Sequence, residues 1–301
     1  MNQEQPTKAG FVAIIGKPNV GKSTLLNAVL GTKLSIVTAK PQTTRKRILG
    51  IYSRDNVQIV FFDTPGMLKP RYELHRSMMG YINDSLETAD IILVLLDATK
   101  ENESNEFFNT EFLTTLKKLG KPVVVAINKM DIVHNKKKVL PLMANIHNSG
   151  LVQDIVPISA LGNDNVPELV TVLKKHLPEH EFYYDEDMLS EQPERFFVSE
   201  LIREAVFTAY RDEIPYSTEV QIVEFKEREV GKWYISAEII VERDTQKGII
   251  IGKGGTALKA VGEKARAAIE EHLGEPVFLE LFVKVREDWR NNRTYLNSYG
   301  Y

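Results

Sequence analysis

Cysteine is absent from the 301 residues, which excludes disulfides, thiolate nucleophiles and Cys-ligated zinc and fits a reducing compartment. Long apolar runs are absent too. The longest uninterrupted aliphatic stretch, residues 91–96, falls far short of the about 18–20 residues that a transmembrane helix needs. Residues 1–10 are polar and carry no hydrophobic region of the kind a secretory signal requires. The six histidines are scattered, and none falls in H-E-x-x-H or another close metal-ligating spacing. A basic excess is also missing: the net charge of −3 argues against a globally basic nucleic-acid binder. What remains is ordinary for a folded chain, with 43% apolar and 26% charged residues. At roughly 100–200 residues per domain, this length predicts two domains, or one unusually large one.

The charge divides unevenly. Residues 1–180 carry a balance of +5 and residues 181–301 one of −8. Inside the acidic part lies a local basic stripe: Arg243, Lys247, Lys253, Lys259, Lys264 and Arg266 face only Asp244 and Glu263. The two parts also differ in pattern. Residues 11–15, 48–52, 57–62, 91–96, 123–127 and 155–158 read as short buried strands rich in β-branched residues. Helical periods fall at 22–30, 74–86, 106–119, 137–148 and 166–175. This alternation predicts an α/β domain over residues 1–178, with a mostly parallel six-stranded sheet. Residues 53–56 are too few for a parallel crossover, so strands 48–52 and 57–62 should form an antiparallel hairpin at one edge. An acidic, aromatic stretch, 179–193, is expected to be a linker. Beyond it, a helix (194–210), two alternating strands (217–226 and 232–241), a helix–glycine turn–helix and a last strand (277–285) predict a smaller α+β domain over 194–301.

Gly16-Lys17-Pro18-Asn19-Val20-Gly21-Lys22-Ser23 fits G-x-x-x-x-G-K-[ST], after a strand and at the start of a helix. Successive N–H groups at a helix N-terminus cradle phosphate oxygens, and glycine permits close approach. Lys22 is expected to reach the β- and γ-phosphates, and the Ser23 hydroxyl to ligate Mg²⁺. Such a match arises by chance in only about 1% of chains this long at ordinary composition. Asp63-Thr64-Pro65-Gly66 ends the third strand, where the carboxylate can hold magnesium through water and the Gly66 N–H can sense a γ-phosphate. Asn128-Lys129-Met130-Asp131 leaves the fifth strand. A carboxylate there accepts from guanine N1–H and N2–H₂ where adenine offers nothing, a difference that can discriminate about 10⁴-fold. The Lys129 stem can cover the base, and Ser159-Ala160 can present a backbone N–H to guanine O6. All four motifs sit at strand C-termini, where open α/β sheets bind ligands. The nucleotide is guanine, GTP or GDP.

This series resembles the translation-factor-related P-loop GTPases, and Gln42-Thr43-Thr44-Arg45 matches their switch-I threonine region. The resemblance implies a threonine on Mg²⁺: Thr44 is favoured, with Thr43 as second choice. Met67 stands where many small GTPases carry a water-orienting glutamine, and a thioether cannot orient water. Slow intrinsic hydrolysis is expected, with Lys22, Thr44 and Gly66 carrying the catalytic roles. Asn19 can either cap its own turn or, as in GTPases that this loop resembles, ligate a potassium ion beside the phosphates.

Residues Ile251, Gly252, Lys253, Gly254 and Gly255 hold a G-x-x-G, a weak pattern met about once per 300 residues by chance. Its flanks strengthen it: aliphatic residues precede it, Leu258 follows, and 256–272 has helical period. The segment resembles a type II KH module, whose glycine loop clamps about four single-stranded nucleotides. Lys253 and Lys259 would supply charge. A helical hairpin with a glycine turn is the plainer alternative. The aromatic tail, 289–301, is expected to pack on its own domain rather than to stack on bases.

A GTPase of this kind followed by a KH module resembles, over essentially the whole chain, the Era family of bacterial GTPases. That resemblance implies an assembly factor for the small ribosomal subunit that binds near the 3′ end of 16S ribosomal RNA. It implies a cytoplasmic monomer, loosely associated with the inner face of the cell membrane and without a DNA partner. Two other readings stay open at this point: a nucleotide-gated RNA-binding module with negligible turnover, and a metabolic P-loop kinase, which Asp131 disfavours.

Overall fold

In the computed structural model, which describes residues 6–108 and 111–301, the strands Val57–Asp63, Ile91–Asp97 and Val123–Asn128 of the first sheet are buried from end to end. Continuous apolar runs fold this way because both faces of a parallel sheet are covered. The strands are β1 (Lys8–Ile15), β2 (Ile48–Arg54), β3 (Val57–Asp63), β4 (Ile91–Asp97), β5 (Val123–Asn128) and β6 (Asp154–Pro157), in the order β2-β3-β1-β4-β5-β6. All pair in parallel except β2, which runs antiparallel to β3 at one edge. The expected hairpin is there, turning through Asp55 and Asn56, both at positive φ.

The helices are α1 (Lys22–Leu30), α2 (Glu73–Thr88), α3 (Glu101–Phe108), α4 (Glu111–Leu119), α5 (Leu140–Asn148) and α6 (Val166–His176). On one face, Ala13, Ile15, Val60, Phe62, Val94, Val125 and Ile127 pack with Ile82 and Leu86 of α2, Phe112 and Leu116 of α4, and Leu142 and Ile146 of α5. The alternate residues Ile14, Phe61, Leu93 and Val124 point the other way and are equally buried. One helix was expected over 106–119. The described residues there are helical, over Glu101–Phe108 and Glu111–Leu119; residues 109–110 lie outside the described residues, as do residues 1–5.

The stretch expected as a linker is partly built into the first unit. The Gln58 side chain accepts from the N–H groups of Tyr183 and Tyr184 and donates to the Tyr184 carbonyl. The Ile51 N–H on the edge strand donates to the Leu189 carbonyl at 2.8 Å. The open edge of β2 is thereby covered. Among the described residues, packing gives a first compact unit within residues 1–35, 44–69 and 78–191, and a second of residues 36–43, 70–77 and 192–301.

The second unit holds α7 (Glu194–Ala209), β7 (Glu219–Lys226), β8 (Trp233–Val241), α8 (Asp244–Ile251), α9 (Thr256–Leu273), β9 (Val277–Val285) and α10 (Arg293–Ser298). Its sheet runs β7-β8-β9, with β7 antiparallel and β9 parallel to β8. Val198, Ile202 and Val206 of α7 and Val261, Ala265 and Ile269 of α9 close its core over Ile235, Ala237 and Ile239. The tail packs on this unit as expected. Trp289 is fully buried, and its indole N–H donates to the Ser217 carbonyl at 2.9 Å.

Two short segments that the strand–helix pattern assigned to the first domain pack in the second unit. The Lys40 ammonium donates to the Phe207 and Tyr210 carbonyls at the C-terminus of α7, where helix carbonyls lack intrahelical donors. Arg203, buried and paired with Glu200, donates to the Thr43 carbonyl. The Leu74 N–H donates to the Arg290 carbonyl at 2.9 Å. Sequence period gave no sign of these ties, because each joins a local turn to a residue far away in the chain.

Candidate functional site

Five parallel strands end on one edge of the first sheet, so the loops after β1, β3, β4, β5 and β6 gather there. Residues 16–21 leave β1 and turn into α1, with Asn19 at φ +64° and Gly21 at φ +100°. Gly21 is required twice over: its φ suits glycine, and a Cβ there would stand 2.3 Å from Asn128 Nδ2. Lys22 folds back along the loop and donates to the Gly16 and Lys17 carbonyls at 3.3 and 3.2 Å. Burial pushes its ammonium down to about 8, against the opposing pull of Asp63.

Three oxygens meet beside it. Ser23 Oγ donates to Asp63 Oδ2 at 2.7 Å and lies 2.8 Å from Thr44 Oγ1, which is itself 3.4 Å from Asp63 Oδ2. Asp63 is fully buried, and its other oxygen, Oδ1, takes no hydrogen bond. Burial raises the Asp63 carboxyl, while hydrogen bonding from Ser23 and the charge of Lys22 oppose the rise. Hard oxygen donors with one carboxylate oxygen unsatisfied suit Mg²⁺. Of the two candidate threonines, Thr44 reaches this cluster; the Thr43 hydroxyl bonds instead to Thr38 and the Lys40 carbonyl.

The segment after β3 closes on the phosphate loop. Thr64 Oγ1 donates to the Ile14 carbonyl at 2.7 Å, and the Met67 N–H donates to the Gly16 carbonyl at 3.0 Å. A Cβ on Gly66 would come within 2.7 Å of Pro18 backbone atoms, so only glycine fits. The Met67 side chain packs against the sheet core, which leaves no water-orienting group at that position.

The base-side residues form their own network. Asn128 Nδ2 donates to the Val20 carbonyl and its Oδ1 accepts from the Ala160 N–H, both at 2.8 Å, so it fastens the phosphate loop to the loop after β6. Of the Ser159-Ala160 pair, expected to present a backbone N–H to guanine O6, the Ala160 N–H bonds here to Asn128 and the Ser159 N–H to the Asp164 carbonyl. Buried amides need partners, and these are the nearest. Asp131 accepts from Ser159 Oγ at 2.7 Å through one carboxylate oxygen. Lys129, at φ +69°, donates to Asp97 Oδ2 at 2.7 Å. Asp97 was missed by sequence reading. Burial alone would raise its carboxyl, but hydrogen bonds from Lys129 and Thr99 outweigh that and hold it below the usual range.

In the second unit, α8 ends at Ile251 and α9 begins at Thr256, with Gly252, Gly254 and Gly255 at φ +71°, +60° and +81°. Lys253 and Lys259 are exposed. A Cβ on Gly254 would meet open space, whereas one on Gly252 would clash with Ala257. Beside the loop, α9 and β9 enclose a groove of about 360 Å³ with Leu258, Leu279 and Leu281 on its floor and Lys259 and Arg266 among its lining. Arg266 belonged to the basic stripe read in the sequence, but the two β9 leucines carried no signal, since the groove exists only once α9 lies against β9.

Comparison with known proteins agrees with this arrangement. Residues 11–129 match the family described as 50S ribosome-binding GTPase, and residues 213–290 the KH domain family. The chain is 46% identical to GTPase Era of Lacticaseibacillus paracasei, over 97% of this chain and 96% of the relative. It is 45% identical to a crystal structure of an Aquifex aeolicus Era variant bound to GDP and AlF4⁻, with a TM-score of 0.91 over 98% of this chain and 99% of that one. A second Era structure, in complex with MgGDPNP and nucleotides 1506–1542 of 16S ribosomal RNA, is also 45% identical, with a TM-score of 0.92 over the same shares. The chain belongs to the Era family of GTPases.

Proposed function

We propose that this chain is a GTP-hydrolysing switch that binds single-stranded RNA near the 3′ end of 16S ribosomal RNA and acts in assembly of the small ribosomal subunit. The observation that carries the catalytic half is the cluster of Ser23, Thr44 and Asp63 oxygens beside Lys22 at the head of α1. Loop N–H groups and the Lys22 ammonium bind the β- and γ-phosphates, whose negative charge favours the lysine charge that burial disfavours. Ser23 and Thr44 hydroxyls, with Asp63 behind them, would hold Mg²⁺, which would supply positive charge to offset that of the phosphates. Water attacks the γ-phosphate in line, while Lys22, the loop N–H groups and the Gly66 N–H stabilise the developing charge. Asp131 selects guanine, Lys129 covers the base, and Asn128 holds both loops in register. Asn19 would offer its side-chain carbonyl to a potassium ion, which would supply further positive charge at the phosphate loop.

In the second unit, Ile251, Gly252, Lys253, Gly254, Gly255 and Lys259 clamp an RNA backbone, with the α9–β9 groove receiving bases. The 16S segment held by the related complex supports this choice of partner. We place the boundary between the GTPase and KH domains close to residues 191–193. Among the described residues no helix is long and apolar enough to cross a membrane. Cytoplasmic residence with loose contact to the inner membrane face rests on family resemblance.

The core packing of Met67 favours one second reading, a nucleotide-gated RNA binder that barely turns over. A single-turnover GTP hydrolysis assay, with and without RNA, tests the choice. Phosphate release at a measurable rate, selective for GTP over ATP, supports the switch; no release in either condition leaves the binding module.

A further inference from the structure

His75, the third residue of α2, is 4% exposed and joins the segment that holds Gln42 to the one that holds Arg71. Its Nδ1 accepts from the Arg71 N–H at 3.3 Å. A ring nitrogen that accepts carries no proton, so in the neutral ring the proton sits on Nε2. Nε2 lies 3.3 Å from Gln42 Oε1, to which it therefore donates. The ring stacks on Tyr72 with centroids 3.8 Å apart, and the Arg290 guanidinium, paired with Glu242, lies 4.7 Å from the centre of the Tyr72 ring. That stack fixes the plane of the imidazole, and with it the direction of both hydrogen bonds.

The chain positions of the two partners give the contact its meaning. Gln42 stands two residues before Thr44, at φ +61°, a backbone region uncommon for a residue with a side chain. Arg71 stands five residues after Gly66. One imidazole thus ties the segment that leads into Thr44 to the segment that leaves Gly66. We propose that His75 is a positioning residue for hydrolysis: through Gln42 it keeps the Thr44 segment in register with the Gly66 segment, so that the two nucleotide-sensing stretches move together. It touches no phosphate, and it sets the fraction of time in which Thr44 stands at the Ser23–Asp63 cluster. The inference rests on the GTPase reading above.

Substitutions separate the two arms. His75→Gln places an amide nitrogen near the Nε2 position and retains a donor for Gln42. His75→Asn places an oxygen near the Nδ1 position and retains only the acceptor for Arg71. Steady-state GTP hydrolysis is measured for the wild type, these two variants, Gln42→Ala and the double variant Gln42→Ala/His75→Asn, with thermal melting to verify folding. The wild-type rate tests the GTPase reading by itself. The proposal expects kcat in His75→Asn and in Gln42→Ala to fall about three- to tenfold, the cost of one hydrogen bond, with KM unchanged. It expects His75→Gln to keep most of the rate and the double variant to lose no more than either single one. Equal rates for His75→Gln and His75→Asn, a wild-type rate in Gln42→Ala, or additive losses in the double variant would overturn it.

Discussion

Lys129 Nζ donates to Asp97 Oδ2 at 2.7 Å, linking the ends of neighbouring strands β5 and β4. The pair fixes the lysine stem at the edge where the loops after β1, β5 and β6 converge. Asp97→Asn removes the charge that orients it while keeping an acceptor. GTP affinity measured by titration calorimetry is expected to fall about tenfold, in line with one charge-assisted hydrogen bond. Unchanged affinity would mean that Lys129 needs no anchor.

Asp131 spends one carboxylate oxygen on Ser159 and leaves the other for a ligand. In Asp131→Asn the amide oxygen can still accept from Ser159, while the NH₂ donates where the carboxylate accepted. The expected result is a loss of GTP binding of at least about a hundredfold together with a gain for XTP. Retained preference for GTP would remove Asp131 from base recognition.

The depressed ammonium of buried Lys22 makes stability depend on pH in a stated direction. Burial lowers its pKa to about 8 in the native fold against an ordinary 10.5, so between these values the unfolded chain binds more protons than the native one. Native stability therefore rises with pH across that window, and below about pH 8 the burial penalty is present in full. Denaturant unfolding of wild type and Lys22→Met at pH 8, 9 and 10 isolates this group from others that titrate there. The wild type should gain on the variant by up to about 3 kcal/mol; parallel curves would refute it.

Asn19, at φ +64° in the phosphate loop, distinguishes a cation ligand from a turn cap by salt identity. At equal ionic strength, hydrolysis is expected to run faster in potassium than in sodium, a smaller ion for the same oxygen cage. Asn19→Ala should abolish the difference while keeping GTP affinity. Equal rates in both salts would leave the loop a plain phosphate cradle.

Much of this site was legible because its residues are contiguous and lie where strands end. Residues 16–23 spell their own turn, and the hairpin at 53–56 followed from loop length alone. Asp97 was not legible: a lone aspartate ending a strand carries no pattern, and its partner Lys129 is brought to it only by the pairing of β4 with β5. The same holds for Leu279 and Leu281, which read as alternate strand residues until α9 covers them to make a groove. Residues 36–43 and 70–77 were placed by chain order with the α/β domain. Their packing is decided instead by Arg203, Lys40 and the Arg290 carbonyl, contacts with no local period. Motifs report local geometry; these residues matter through distant neighbours.

The central claim is a switch in which bound nucleotide sets RNA binding, and the most direct measurement is RNA affinity in each nucleotide state. A labelled RNA matching nucleotides 1506–1542 of 16S ribosomal RNA, the segment held by the related complex, serves as probe in fluorescence anisotropy. With Mg²⁺ and a non-hydrolysable GTP analogue, binding is expected to be at least about tenfold tighter than with GDP, an ordinary coupling between two sites. Gly254→Asp, whose side chain enters open space at the glycine loop, should lose RNA in both states while binding GTP as the wild type does. Equal RNA affinity with the two nucleotides, or wild-type RNA binding by folded Gly254→Asp, would contradict the account.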